Sequence, residues 1–152
     1  MLISKNNSVL DQVDVELLNQ LDSDSSISNA SLASGVGLAA STTLMRVRNL
    51  VQRGIIRRFT IDVDYNAIGL GVQAIVFLSL RRQDEETTSA LIDKISTAGN
   101  VVQIFHVSGS EDLLVHVAVS SSETLREFIQ KMLTSDQNVR NAQTHLIFRH
   151  IR

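Results

Sequence analysis

Cysteine, proline and tryptophan are all absent from the 152 residues. Without cysteine there is no disulfide, no thiolate metal ligand and no cysteine nucleophile. A chain of this length with ordinary usage would carry about 8 prolines, so Gly, Ser and Asn must punctuate it instead. Aromatic residues make up 4%, too few for the stacked rings on which single-stranded nucleic acid lies. No apolar run approaches the roughly 20 residues of a membrane span, the longest clear one being Ala74 to Leu78. Met1-Leu2-Ile3-Ser4-Lys5 followed by Asn6-Asn7-Ser8 offers no secretory apolar core. With 43% apolar and 20% charged residues, the chain reads as soluble, cytoplasmic and globular, with one ordinary domain or two small ones and no membrane partner.

What is present is unevenly charged. Residues 1 to 24 set Lys5 against Asp11, Asp14, Glu16, Asp22 and Asp24; residues 25 to 61 contain no acid and five arginines, Arg46, Arg48, Arg53, Arg57 and Arg58. A localised positive field inside a chain of net charge -2 is the means by which small domains find polyanions. Read blandly, the same arginines are a solvated helix face.

Apolar spacing divides the chain in two. Val13, Leu17, Leu18 and Leu21 form a helical stripe that Asp11 can cap, with Asp14 completing a capping box. A second short helix is expected from Asn29 to Ser34, broken by Gly35 and Gly37. A third is expected from Ala40 to Arg53, with Leu44, Val47, Leu50 and Val51 inward and Gly54 as its stop. Ser41, Thr42, Met45, Arg46, Arg48, Asn49, Gln52 and Arg53 then occupy its polar side, which describes a helix-turn-helix. Ile55 to Ile61 reads as a strand or wing, and residues 61 to 71, with Gly69 and Gly71, as a linker.

From 72 to 152 the pattern alternates: strand Val72 to Leu80, helix Glu85 to Ala98, strands Val101 to Val107 and Leu113 to Val119, helix Glu123 to Leu133, and a last strand from Val139 to Ile151. This βαββαβ order is the ferredoxin-like arrangement, so the expected class is α+β, with a winged-helix-like domain over residues 1 to 60 and a ferredoxin-like domain over 72 to 152. Ala74 to Leu78 and Leu113 to Val119 are apolar at nearly every position, the pattern of strands buried on both faces. Two helices cover one face only, so a second copy is expected on the other.

Leu10-Asp11-x-x-Asp14-x-x-Leu17-Leu18-x-x-Leu21, Leu32-Ala33, Val36-Gly37-Leu38, Arg46-Val47-x-x-Leu50 and Gly54-Ile55-Ile56, with Gly69 and Gly109-x-x-Asp112, resemble in ungapped order the Lrp/AsnC family of feast/famine regulators. The resemblance covers residues 10 to 151. It implies a DNA-binding helix-turn-helix, an effector-sensing ferredoxin-like domain, dimers assembled into octamers, and an amino acid bound between dimers. Carried over by position, Ser41, Thr42, Met45, Arg46 and Asn49 would face the groove of double-stranded DNA. Gly109, Asp112 and Thr144 would meet the effector. Ala39 stands where the family usually has a serine cap, a loss of about 1 kcal/mol that points to a frayed or shifted helix start. Glu111 replaces a common aromatic.

Each candidate has a plainer reading beside it. Arg46 and Arg48 suit phosphates or guanine edges, or a pairing with an acid of the first helix. Arg57 and Arg58 suit backbone phosphate, or a charged strand edge. Asp112 is either a turn-forming acid or an amine-binding carboxylate. His106, His116, His145 and His150 offer no pair at helical metal-ligand spacing, and no cofactor is expected. No serine sits in a nucleophile elbow and Gly35-Val36-Gly37 lacks a dinucleotide fingerprint, so the expectation is an effector-modulated regulator rather than an enzyme. An architectural DNA-compacting protein and a small ferredoxin-like ligand-binding or enzymatic module are the alternatives.

Overall fold

A computed structural model describes residues 10–149, which fall into two compact units that divide between Asp62 and Val63.

In the first unit, α1 (Gln12–Ser23), α2 (Asn29–Val36) and α3 (Ala40–Gln52) enclose a small core of Val15, Leu17, Leu18, Leu32, Ala33 and Leu50. Asp11 caps α1 by accepting from the Asp14 amide, and Ser28 caps α2 by accepting from the Ser31 amide. The inward stripe of α1 lies over Asp14, Val15, Leu17 and Leu18, leaving Val13 and Leu21 half-buried. The Asp14 carboxylate does not close a capping box, because an arginine of α3 takes it.

Both α2 and α3 end in the same motif. Gly37 (φ 67°) donates to the Ser34 carbonyl and Leu38 to that of Ala33; Gly54 (φ 70°) donates to Val51 and Ile55 to Leu50. These are paired Schellman bonds around a left-handed residue, a conformation in which Cβ is costly. Gly35 does not break the chain as its type suggested. It continues α2 beneath the Gln20 side chain of α1, which lies where a Cβ would project. After α3 the expected strand from Ile55 to Ile61 does not form. The Ile55 and Ile56 amides both turn back to the Leu50 carbonyl, and with no neighbouring strand to pair, 57–62 runs exposed.

The second unit is an antiparallel sheet in the order β2-β3-β1-β4, built from β1 (Val72–Leu80), β2 (Val101–His106), β3 (Leu113–Val119) and β4 (Val139–Leu146). One face is covered by α4 (Glu85–Ser96) and by α5 (Ser122–Phe128), which runs on into a π-helical turn, Ile129–Thr134. The expected single helix to Leu133 thus changes its winding midway. β4 ends at Leu146, and Ile151 and His150 lie outside the described residues.

Register settles which residues share a face. Ala74 pairs with Val117, Val76 with Val115 and Leu78 with Leu113, and all six are fully buried under the helices with Leu91, Ile95, Phe128 and Leu133. The opposite face carries Ile75, Phe77, Leu114 and His116, half-buried, and Phe105, exposed. The two central strands are therefore not buried on both faces in one chain. The Tyr65 ring stands edge-on to His116 at 6.4 Å, and Phe77 meets His145 at 4.8 Å, which screens only part of that surface.

Gly37→Ala is expected to destabilise the first unit by about 1 kcal/mol. That corresponds to a fall in Tm of roughly 4–8 °C for a unit of this size. Gly35→Ala should cost much less, because the Gln20 amide is the movable end of a flexible side chain. Thermal melts of the two variants compare these effects; equal losses would show that the left-handed turn is not the tighter constraint.

Candidate nucleic-acid interface and ligand-binding unit

The third helix turns its inward face about 50° from that suggested by Leu44, Val47, Leu50 and Val51 at 3.6 residues per turn. The residues that go inward are Thr43, Val47 and Leu50. Thr43 is fully buried, with its hydroxyl donating to the Ala39 carbonyl, whereas Leu44 and Val51 are exposed at 39% and 43%. Ser41, Leu44, Met45, Arg48, Asn49 and Gln52 line one shallow depression along the helix. Ser41, Met45, Arg48 and Asn49 were expected on that side; Leu44 and Gln52 join them, and Thr42 is half-buried.

Arg46 does not stand with them. Its guanidinium donates to Asp11 Oδ2 at 2.6 Å and to Asp14 Oδ1 at 2.8 Å, both at the start of α1. The side chain is 31% exposed and that of Asp14 only 11%. This corrects the expectation that Arg46 faces the groove: two carboxylates across the unit hold it on the other side. The Asp14 amide first, then Arg46, holds the Asp11 carboxyl below its usual 3.8, and Asp11 and Asp14 in turn raise the Arg46 guanidinium.

Ala39 precedes the helix with no side-chain cap, yet α3 begins cleanly at Ala40. The Asn29 side chain donates to the Ala40 carbonyl, and the Arg46 clasp fixes the following turn. No frayed or shifted start results. Arg57 and Arg58 are exposed beyond the end of α3.

In the second unit Asp112 is 7% exposed and its carboxylate is fully engaged, accepting from the Leu80 amide at 2.6 Å and the Gln83 side chain at 2.7 Å. Its amide donates to the Leu78 carbonyl and its own carbonyl accepts from Val107. Glu111 accepts from the Ser79 hydroxyl at 2.6 Å. The two acids thus anchor the turn before β3 to the end of β1. Gly109, at φ 134°, sits at the exposed tip of that turn. Thr144 lies elsewhere: it pairs with Val76 on the helix-covered side of β4 and lines a groove against α5. One copy does not bring Gly109, Asp112 and Thr144 together.

A three-helix unit with a basic exposed helix, followed in the same chain by a ferredoxin-like unit, defines a two-part DNA-binding regulator. A winged helix-turn-helix DNA-binding model matches residues 10–57, and the Lrp/AsnC ligand binding domain matches residues 73–152. The chain belongs to the Lrp/AsnC family of transcriptional regulators. The HTH-type transcriptional regulator AldR of Mycolicibacterium smegmatis is 39% identical over 143 residues, covering 94% of this chain and 84% of that protein. The transcriptional regulator AzlB of Bacillus subtilis is 31% identical over 91% of this chain and 88% of its own length. The crystal structure of MtbAldR superposes with a TM-score of 0.79 at 34% identity, over 94% of this chain and 97% of that one. A Neisseria meningitidis regulator solved in complex with L-Met gives a TM-score of 0.85 at 24% identity, over 94% of this chain and 92% of that one, a likeness of fold. These relatives are regulators and not enzymes. Among the described residues no helix is long and apolar enough to cross a membrane.

Arg46→Ala should leave Asp14 without its cation and destabilise the first unit by about 2 kcal/mol, in the range for a charged hydrogen-bonded partner lost from a partly buried site. Ala39→Ser should stabilise it by roughly 0.5–1 kcal/mol by supplying the missing cap. Because the Asp11 carboxyl is depressed when folded, its contribution is present above pH 3.8 and is lost as pH falls through the lowered folded value. Melting curves taken from neutral to acid pH should therefore steepen only below about pH 4, and less so in Arg46→Ala. An unchanged melting temperature in Arg46→Ala would show that the clasp contributes no stability.

Proposed function

We propose that the chain reads duplex DNA with the exposed side of α3, as a sequence-specific regulator whose assembly or DNA affinity responds to a small effector, an amino acid. The observation that carries this reading is the composition of that side. Ser41, Leu44, Met45, Arg48, Asn49 and Gln52 supply, on one acid-free surface, the groups that recognise base edges: arginine for guanine, asparagine or glutamine for adenine, and apolar contact for the thymine methyl. Arg48 takes the role the sequence suggested for Arg46, and Thr42 flanks the contact surface. Arg57 and Arg58 contact phosphate, which adds affinity and salt dependence without preference for sequence. Two copies of α3 would read half-sites about one helical turn apart.

The second copy would come through the open face of the sheet. Ile75, Phe77, Leu114 and Phe105 form an apolar patch of the sort that marks an interaction site. Dimers built there could assemble further, toward the octamers that the family resemblance implies. The Lrp/AsnC ligand binding domain over residues 73–152 and the neighbour solved with L-Met support an amino-acid effector. A site shared between copies could combine Thr144 of one with the Gly109 turn of another, with Asp112 shaping that turn through its bonds to Leu80 and Gln83.

Two measurements test the reading. In gel shifts on promoter DNA, Arg48→Ala should lose about 1–3 kcal/mol of discrimination at one base position. Arg57→Ala with Arg58→Ala should weaken all sequences alike and lower the salt slope by roughly 0.9 for each phosphate that is no longer neutralised. Retained affinity and preference in Arg48→Ala would remove this side of α3 from the groove. In sedimentation of the full chain, the wild type should be a dimer or larger and Leu114→Asp should fall to monomer. A monomeric wild type at micromolar concentration would dismiss the sheet face as an interface.

A further inference from the structure

We infer that the groove between α5, its π-helical continuation and β4 is a binding site for small carboxylates with an apolar side chain, and that Arg126 takes the carboxylate. This rests on reading residues 73–152 as the ligand-binding unit, and it names the site within that unit and the class of molecule.

The groove has a volume of about 270 Å³, at the small end of ligand pockets. That is room for a molecule of amino-acid size and not for a nucleotide. Leu125 and Ile129 form an apolar floor, and Arg126, Gln130 and Thr144 stand around it. Among the described residues, Arg126 forms no ion pair, and neither the Gln130 amide nor the Thr144 hydroxyl has a hydrogen-bond partner. The neighbouring acids are engaged elsewhere: Glu127 pairs with Lys131 at 3.1 Å, and Glu123 accepts from the Ser122 hydroxyl at 3.2 Å. A cation, an amide and a hydroxyl thus converge on an apolar floor with their bonding capacity unspent. This arrangement suits a carboxylate held by the guanidinium fork, with the rest of a small molecule laid on Leu125 and Ile129.

The backbone supports the same assignment. From Ile129 to Thr134 the helix widens to a π turn, and the Thr134 hydroxyl donates back to the Ile129 and Gln130 carbonyls. Such turns are rare and gather at functional sites. Here the widened turn forms one wall of the groove, opposite Thr144 on β4. Thr144 is the residue the family resemblance assigns to effector binding, whereas Arg126 and Gln130 come from the geometry.

Calorimetry on the full chain tests this with leucine, methionine, valine, isoleucine and phenylalanine, together with isocaproate, which keeps the carboxylate and lacks the amine, and isoamylamine, which does the reverse. At least one of the amino acids should bind, isocaproate should bind detectably, and isoamylamine should not. Arg126→Gln should weaken the amino acid at least tenfold and Arg126→Lys should recover part of the loss. Because Arg126 is exposed, both variants should melt with the wild type, which separates lost binding from lost folding. Amino-acid binding that is equal in wild type and Arg126→Gln, or isoamylamine binding as well as the amino acid, would overturn the groove assignment and leave the ligand-responsive reading standing. Failure of every amino acid to bind the wild type would overturn both.

Discussion

Two carboxylates at the start of α1 and one guanidinium on α3 decide which side of the third helix meets solvent. The Arg46 bonds to Asp11 and Asp14 act beside a buried Thr43 and Leu50, so packing and charge specify one rotation of the helix between them. With that rotation fixed, Arg48, Asn49 and Met45 fall together on the free side. The same carboxylate of Asp11 also caps α1 through the Asp14 amide. One residue therefore joins the start of the first helix to the orientation of the third, and the arginine most suggestive of DNA in the sequence serves to place the residues that face outward.

The second unit relies on a comparable economy. Asp112 binds the Leu80 amide and the Gln83 side chain and so fastens the β2–β3 turn to the end of β1, where the chain leaves the sheet for α4. A buried acceptor with two donors is strongly placed, and breaking it would leave a carboxylate without compensation. The sheet that it closes offers two very different surfaces: a helix-covered side whose edge opens into the groove at Thr144, and an open apolar side. Ligand and second copy thus have separate ground on a unit of modest size.

Much of the fold was legible because it is written in local periodicity. Val72 to Leu80 and Leu113 to Val119 were read with the bounds they have in the sheet, and Gly37 and Gly54 marked the helix ends that left-handed turns demand. The errors share a physical origin in contacts distant along the chain. Arg46 meets its acids from 35 and 32 residues away, so spacing within α3 placed it outside. Thr43 was passed over because a hydroxyl does not count as apolar, although it can satisfy itself on the Ala39 carbonyl and go inward. The strand expected from Ile55 to Ile61 had the right residue types and no partner. Of the candidate site, Ser41, Met45, Arg48 and Asn49 were found from the helix face and Thr144 from the family resemblance. Arg126 and Gln130 were not, since the π turn that positions them against β4 has no pattern in sequence.

The sheet order carries a consequence for how the chain reaches its fold. β1 pairs with β4, setting Ala74 against Leu146, so the central strand lacks one neighbour until almost the whole unit has been synthesised. Contacts so far apart in sequence carry a loop-closure cost before they return any stability. The three helices of the first unit meet over short separations and can form while the rest of the chain is still being made. The DNA-binding half would then emerge from the ribosome complete, ahead of the half that is to govern it.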